Sequence, residues 1–515
     1  MFLAVPDKLP LPPIMEVRPT PIFTSDRQVW YLVLGFLVAS AMIRLIATPH
    51  AVWIDEAEQI YHSQWMQPGA YDAQPPLYTW IHHLVFTWTG PNLFFIIIFK
   101  FVVVITTFLG VRKIFEIVCG RDSLPTILGL LSYVFIFQYW DAGLLSTNTL
   151  LVTWASAWSV YIVIRMTQQP GWGMYLLLGM ILGVGYLSKY NFLLAILALL
   201  VTGLSIKKTR DIIWSPRVVL ILVGFLLITF PHVIWFLDNY FSVESTLQFE
   251  LGNKDEVNTI AGAQDTISSF SVKLISFLGI WILVILLFFR KAFWKDIAVQ
   301  SHIWAVFFKR YLLIVTLLII LSALIFEIRI FHERYFQPFY LFLPLLVFLH
   351  VKDLSAISSM RIIWFQRISV ITMFLIFCFN SLPFITDPLL GKPGYMHIPY
   401  DRIGQWVESE KTEGDLIITN HILMAGNLKL NMADTGTVLD WKDSEHLLQE
   451  NVNQTIKSHL YVWIDEGEGV QDMIASFKII DPGFDPNEIR YNDIPYHTPE
   501  GKSIRIGMAR VDTYH

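Results

Sequence analysis

The chain has 515 residues, of which 54% are hydrophobic and 15% charged, and its mean hydropathy is +0.52. That balance excludes a soluble globular protein of this size. A net charge of −5 gives no electrostatic reason to expect a nucleic-acid partner. With only Cys119 and Cys378, far apart and differently placed, no disulfide framework is expected.

Met1–Arg27 is proline-rich and lacks a basic stretch followed by a short apolar core, so residues 1–28 are expected to be a cytoplasmic segment rather than a cleaved leader. A membrane domain then extends over 29–386. It holds about eleven apolar segments of spanning length, near 29–47, 91–111, 124–140, 146–164, 174–188, 190–206, 218–236, 269–289, 311–329, 336–350 and 368–386. Basic residues in the connections divide about nineteen to four between the two sides. The positive-inside rule then places the N-terminus in the cytoplasm and the first loop, 48–90, outside. An odd number of spans puts the tail outside as well. Residues 387–515 are polar and carry strand-like alternation at Asp415–Thr419 and His459–Ile464. Helix-compatible stretches lie near Asp401–Ser409 and Ser444–Asn451. The tail is long enough for its own core, and an extracytoplasmic α/β domain is expected. The fold class is therefore an all-α polytopic membrane protein with a C-terminal α/β domain.

Pro49 to Gly90 contains no lysine or arginine, yet carries Asp55, Glu56, Glu58 and Asp72 before Gln74-Pro75-Pro76-Leu77-Tyr78. Carboxylates clustered at a membrane face suit acid–base chemistry or cation binding. Asp55 also precedes a helix-compatible run, where an acidic residue serves as an N-cap. Glu58 lies three residues on, sharing a helical face with Asp55. His62, His82, His83 and His232 are expected near the same face, without a diagnostic metal-ligand spacing.

The Asp55-Glu56-Ala57-Glu58-Gln59 run, followed by Gln74-Pro75-Pro76-Leu77-Tyr78-Thr79-Trp80, resembles the first extracytoplasmic loop of the GT-C glycosyltransferases. More narrowly, it is similar to the bacterial protein-mannosyltransferase and aminoarabinose-transferase superfamily (families 39 and 83), and within it to the lipopolysaccharide-modifying subgroup. Leu187-Ser188-Lys189-Tyr190-Asn191 and Glu333-Arg334-Tyr335, with Pro338 and Pro344, extend the likeness over about the first 350 residues. The resemblance implies a multi-pass glycosyltransferase of the bacterial inner membrane. It would use a polyprenyl-phosphate-linked sugar and act on lipid A, the lipopolysaccharide core or another envelope lipid or polysaccharide among membrane lipids. It implies no required cofactor or metal, although the acidic loop leaves a divalent cation open.

On this reading Asp55, with Glu56 and Asp141, supplies the catalytic carboxylates. Relatives often carry an aspartate near the place of Asn148, and Asp141 is then the substitute. Lys189, His332, Arg334 and Tyr335 are expected at the donor phosphate, as is Gln74, which stands where relatives carry Lys, His or Asp. Glu58, Tyr78 and Glu250 are expected toward the acceptor. Lys100, in mid-span, suits either the donor or a pair with an intramembrane carboxylate. The lysine-free acidic loop would repel an anionic sugar unless Lys189 and Arg334 compensate, which disfavours a uronate. The alternative function is a membrane transporter or lipid flippase. Charges lining a route across the membrane would mark it, but no internal repeat is visible.

Overall fold

The computed structural model describes residues 21–69, 74–140, 147–239, 259–293, 303–326, 328–350, 357–433, 436–442, 456–465, 470–497 and 501–512. In the membrane domain the helices are α1 (Asp26–Ala47), α2 (Ile54–His62), α3 (Leu77–Thr89), α4 (Leu93–Cys119), α5 (Leu124–Ser132), α6 (Thr147–Met166), α7 (Trp172–Ser188) and α8 (Phe192–Ser205). They continue as α9 (Lys207–Ile213), α10 (Val219–Asp238), α11 (Thr259–Phe293), α12 (Ile303–Ile325), α13 (Gln337–Tyr340), α14 (Leu343–His350), α15 (Ser359–Ser381) and α16 (Pro383–Leu389).

Among the described residues, seven helices are long and apolar enough to cross a bilayer unbroken, or eight if α8 and α9, bent by 115°, form one span. The expectation of about eleven spans counts the shorter and broken apolar segments as well. The remaining apolar segments are present but short or interrupted. The 124–140 segment leaves the α-helix after Ser132 and finishes as two 3-10 turns. The 336–350 segment is split between α13 and α14, with Pro338 and Pro344 at the helix starts, where a missing N–H costs least. Such irregular backbone is tolerated at membrane depth only when protein satisfies it. Here the two broken segments do so for each other. The Tyr133 hydroxyl donates to the Leu341 carbonyl. The Tyr139 hydroxyl donates to the Gln337 carbonyl at 2.8 Å, and Gln337 Nε2 to the Gln138 carbonyl at 2.6 Å.

Between α7 and α10 the backbones touch directly. A Cβ at Gly179 would lie 2.0 Å from the Ile221 carbonyl oxygen, and one at Gly224 2.3 Å from that of Leu176. With little hydrophobic drive between helices in lipid, such close approach is what packs them.

The tail is an α/β domain, as expected. Its helices are α17 (Tyr400–Glu410), α18 (Ile422–Asn431) and α19 (Val470–Ile480). Its strands are β1 (Asp415–Thr419), β2 (Val438–Asp440), β3 (Ser458–Ile464), β4 (Arg490–Pro495) and β5 (Ser503–Asp512), in the order β2-β1-β3-β5-β4. β1 runs parallel to β2 and β3, with Ile417 opposite Val438 and Leu460, whereas β5 is antiparallel to β3 and β4. One sheet face packs Ile417, Leu460 and Met508 against α17 and α18, and the other packs Tyr461 and Trp463 against Phe477 of α19. The helix-compatible stretch at Ser444–Asn451 lies outside the described residues.

Ala51 and Tyr61 of the first loop belong to the same apolar cluster as Ile417 and Leu428. The loop and the tail domain therefore share one core and lie on one side of the membrane. Polar contacts fix the register of that joint. Asn427 Oδ1 accepts from the Val52 amide at 2.8 Å and its Nδ2 donates back to the Val52 carbonyl at 3.3 Å. Gln64 pairs in the same two-way manner with the backbone of Val438, at 2.9 and 3.1 Å. Gly426 permits the approach, since a Cβ there would stand 2.3 Å from the Ala57 carbonyl oxygen. Gly426→Val should therefore push α18 off α2. Limited proteolysis of the purified variant should release the tail domain faster than from wild type, and equal rates would contradict the joint.

Candidate active site

The acidic loop folds into two short helices, α2 and α3, lying between α1 and α4. Trp53 is the N-cap of α2, so Asp55 and Glu56 occupy its first turn, where the helix dipole favours negative charge. The two carboxylates then part. Glu56 turns inward and is 1% exposed. One oxygen accepts from Lys100 Nζ at 3.1 Å, and the other faces Arg44 Nη2 at 3.5 Å and the Trp53 amide at 3.0 Å. Burial alone would raise the Glu56 pKa, but the charges of Lys100 and Arg44 outweigh it and hold the carboxyl below its usual range. Arg44 also donates to the carbonyls of Thr48 and Ala51, each at 2.6 Å, closing the last turn of α1 onto the loop. Lys100 is thus in an intramembrane pair, and Glu56 has no open face for substrate. No motif singles out Arg44 in the sequence, where it lies within an apolar segment.

Asp55 points the other way, with 26% of its side chain exposed. Its Oδ2 lies 3.4 Å from Arg334 Nη1, on the 3-10 turn Glu333–Phe336 between α12 and α13. The next residue of that turn, Tyr335, receives Lys189 Nζ over its ring at 4.6 Å from the centroid. Lys189 closes the C-terminus of α7. Glu333 pairs with Lys273 of α11 at 3.0 Å. His332 precedes the turn; burial, then the charges of Arg334, Lys273 and Lys189, lower its pKa and favour the neutral imidazole. Residues separated by more than a hundred positions thus converge. Asp55, Lys189, His332, Arg334 and Tyr335 form one constellation, with acidic and cationic halves.

The other expected site residues fall elsewhere. Tyr78, expected on an acceptor surface, is corrected to a buried position at 1% exposure. Its ring stacks on His82 at 4.7 Å and meets Phe99 edge-on, because Pro76 starts α3 so that Tyr78 faces inward. Burial, then the nearby charges of Glu56 and Asp55, raise its pKa. Gln74 is half-buried, and its side-chain oxygen has no hydrogen-bond partner among the described residues. Glu58 is half-buried on α2. Asp141 and Glu250 lie outside the described residues. Asn148, in the first turn of α6, has a buried side-chain oxygen without a partner among them.

Among the described residues, the histidines of the acidic region do not group with carboxylates closely enough to share an ion. His82 lies in the Tyr78 stack, His83 contacts the Ser63 carbonyl, and His232 bridges the Pro68 carbonyl and the Tyr190 hydroxyl.

The fold and this constellation define a polytopic membrane protein with a carboxylate and a cation cluster at one face, capped by an α/β domain. Residues 73–235 match the family model described as dolichyl-phosphate-mannose-protein mannosyltransferase. The chain is similar to two lipopolysaccharide core galacturonosyltransferases of Rhizobium johnstonii. It is 29% identical to RgtB over 63% of this chain and 65% of that protein, just under two thirds of the relative's length. It is 24% identical to RgtA over 79% of this chain and 81% of that protein. The structure superposes on ArnT from Cupriavidus metallidurans, solved with undecaprenyl phosphate, at a TM-score of 0.54 and 14% identity, covering 92% of this chain and 97% of that one. The fold is thus that of ArnT, and these likenesses support a membrane glycosyltransferase of the GT-C type.

Proposed function

We propose that the protein transfers a sugar, a uronic sugar such as galacturonate by its likeness to the Rhizobium enzymes, from a polyprenyl-phosphate donor to a lipopolysaccharide core or related envelope acceptor. The observation that carries this reading is the convergence of Asp55 with the Lys189–Arg334–Tyr335 cluster at one membrane face. The orientation that suits it has the N-terminus in the cytoplasm, and the loop and tail domain in the periplasm of a bacterial inner membrane.

The chemistry follows from the two halves. Arg334 and Lys189 hold the donor phosphate, Arg334 through paired N–H donors. Asp55 orients the acceptor hydroxyl and takes its proton as the oxygen attacks the anomeric carbon. The new C–O bond forms as the bond from that carbon to the phosphate oxygen breaks, and polyprenyl phosphate leaves with the electron pair. Attack opposite the leaving group inverts the anomeric centre. The phosphate gains charge in this step, and fixed cations stabilise it where it develops.

The acidity of the loop is no bar to a uronate. Around the site, among the described residues, Asp55, Glu56, Glu58 and Glu333 stand with Arg44, Lys100, Arg334, Lys189 and Lys273, four negative charges and five positive. Glu56 is already paired with two of these cations, Arg44 and Lys100. Lys189 and Arg334 thus supply the compensation that the acidic loop requires for an anionic sugar. A flippase would place its charges along a route across the bilayer; among the described residues the buried ones lie toward the ends of α1 and α4, with Arg44, Glu56 and Lys100 at one end and Asp26 and Arg112 at the other.

The purified protein in nanodiscs, given undecaprenyl-phosphate galacturonate and a lipopolysaccharide core, should release undecaprenyl phosphate as the acceptor gains mass. Failure with every polyprenyl-phosphate sugar, together with lipid movement across a vesicle membrane, would favour the flippase. Arg334→Lys keeps the charge but loses the paired geometry. A charge-assisted hydrogen bond contributes ~1.5–3 kcal/mol. The KM for donor should therefore rise by roughly tenfold to a hundredfold, and an unchanged KM would remove Arg334 from the donor site.

A further inference from the structure

A group of side chains of metal-ligating type lies at the joint between the membrane and tail domains. His50 follows α1, Asp401 sits in the first turn of α17, and His497 stands just beyond β4. One ligand atom from each lies within 4.8 Å of the others. His497 Nε2 and Asp401 Oδ1 are 2.8 Å apart, and the two imidazole centroids 4.6 Å apart. His50 Nε2 is buried and has no hydrogen-bond partner among the described residues. A buried polar nitrogen without a partner is costly, and it suggests a ligand yet to be bound. His497 and Asp401 are each about one third exposed, so an ion can enter from solvent.

We propose that His50, Asp401 and His497 bind one transition-metal dication of the zinc class. Two imidazoles and one carboxylate favour Zn²⁺ and its first-row neighbours over Ca²⁺ or Mg²⁺, which prefer oxygen ligands. Nitrogens ~2.0–2.1 Å from a tetrahedral zinc lie roughly 3.3 Å from one another, so the present spacing needs closing by at most about 1.5 Å, within reach of side-chain rotation. A water would complete the coordination. The neighbouring His397 is already committed, its Nδ1 accepting from the Gly394 amide and its Nε2 meeting the Phe384 carbonyl. Arg44, the nearby cation, faces Glu56 at 3.5 Å.

The ligands come from both sides of the joint, His50 from the stem of the first loop and the other two from the tail domain. A bound ion therefore staples the entry of the catalytic loop to that domain, beside the Asn431 side chain that donates to the His50 carbonyl at 2.9 Å. It stands five residues before Asp55 and takes no part in the transfer.

The full chain, purified without a polyhistidine tag, stripped with EDTA and desalted, is titrated with Zn²⁺ alone and then with Mg²⁺ alone. Metal content by mass spectrometry should reach one zinc per chain, and the melting midpoint should rise with Zn²⁺ and not with Mg²⁺. His497→Ala, at an exposed position, should melt like the stripped wild type, lose the stoichiometric zinc and show no rise. Asp401→Asn should weaken binding at least tenfold. Zinc bound equally by wild type and His497→Ala, or no zinc bound by wild type, would overturn the proposal. Asp55→Asn should keep the zinc, so failure of the staple and failure of the transferase reading are separable.

Discussion

Asp55→Asn should lower sugar transfer by about 10²–10⁴-fold while the protein accumulates and melts as wild type does. Asn keeps the shape and can still face Arg334, but it cannot take the proton of an attacking hydroxyl. The cost in stability is small because the Asp55–Arg334 pair is partly exposed and 3.4 Å long, and such pairs contribute ~0–1 kcal/mol. Asp55→Glu restores the charge at a displaced position and should recover only part of the rate. Single-turnover measurement with saturating donor reads this loss as a fall in the chemical step. A loss confined to the KM for donor would make Asp55 a partner of the phosphate cation instead.

Glu56→Gln should act on the fold. Glu56 is the counter-charge of both Lys100 and Arg44, and its removal leaves two buried cations without a carboxylate. Breaking a buried ion pair from one side costs ~3–5 kcal/mol, enough to cut accumulation in the membrane and to lower the melting midpoint in detergent. Lys100→Met should be nearly as harmful, and the double variant Glu56→Gln with Lys100→Met less harmful than the sum of the two. The sign of the pH dependence follows from the lowered pKa of Glu56. Its contribution is fully present above its ordinary value of 4.5 and is lost as pH falls through the lowered folded value. The wild-type melting midpoint should therefore decline below pH 4.5, and the decline should be weaker in Glu56→Gln. A variant that melts like wild type at pH 7 would contradict the buried role.

These two residues show where sequence is informative and where it stops. Adjacent carboxylates in a lysine-free loop point to a site, and the Gln74–Tyr78 run with Glu333–Tyr335 points to a family. The apolar segments and the strands at 415–419 and 459–464 are legible because burial imposes a period on the chain. Which carboxylate faces substrate is a different matter. Asp55 and Glu56 are neighbours in sequence but about 100° apart around a helix, and only the position of Lys100 and Arg44 decides which turns inward. Tyr78 misleads for the same reason, since an aromatic residue at a loop face reads alike whether buried or exposed.

Continuity of the spans was also hidden. Composition gives the apolar length of 124–140 and 336–350, but the break in each depends on mutual satisfaction of backbone groups across some two hundred residues. The docking of the tail on α2 rests on Gly426 and Asn427, two unremarkable residues in an ordinary helix. The His50–Asp401–His497 group has no motif because its members come from three distant segments.

The most direct test of the central claim is mass spectrometry of envelope lipids from cells that carry the wild-type chain, no chain or Asp55→Asn. A uronate-sized increment on the lipopolysaccharide core or lipid A should be present with wild type and absent from both defective strains, with the Asp55→Asn protein at normal abundance. If Asp55→Asn leaves every envelope glycan as in wild type, Asp55 is not the carboxylate of a sugar transfer, and the site described here has another purpose.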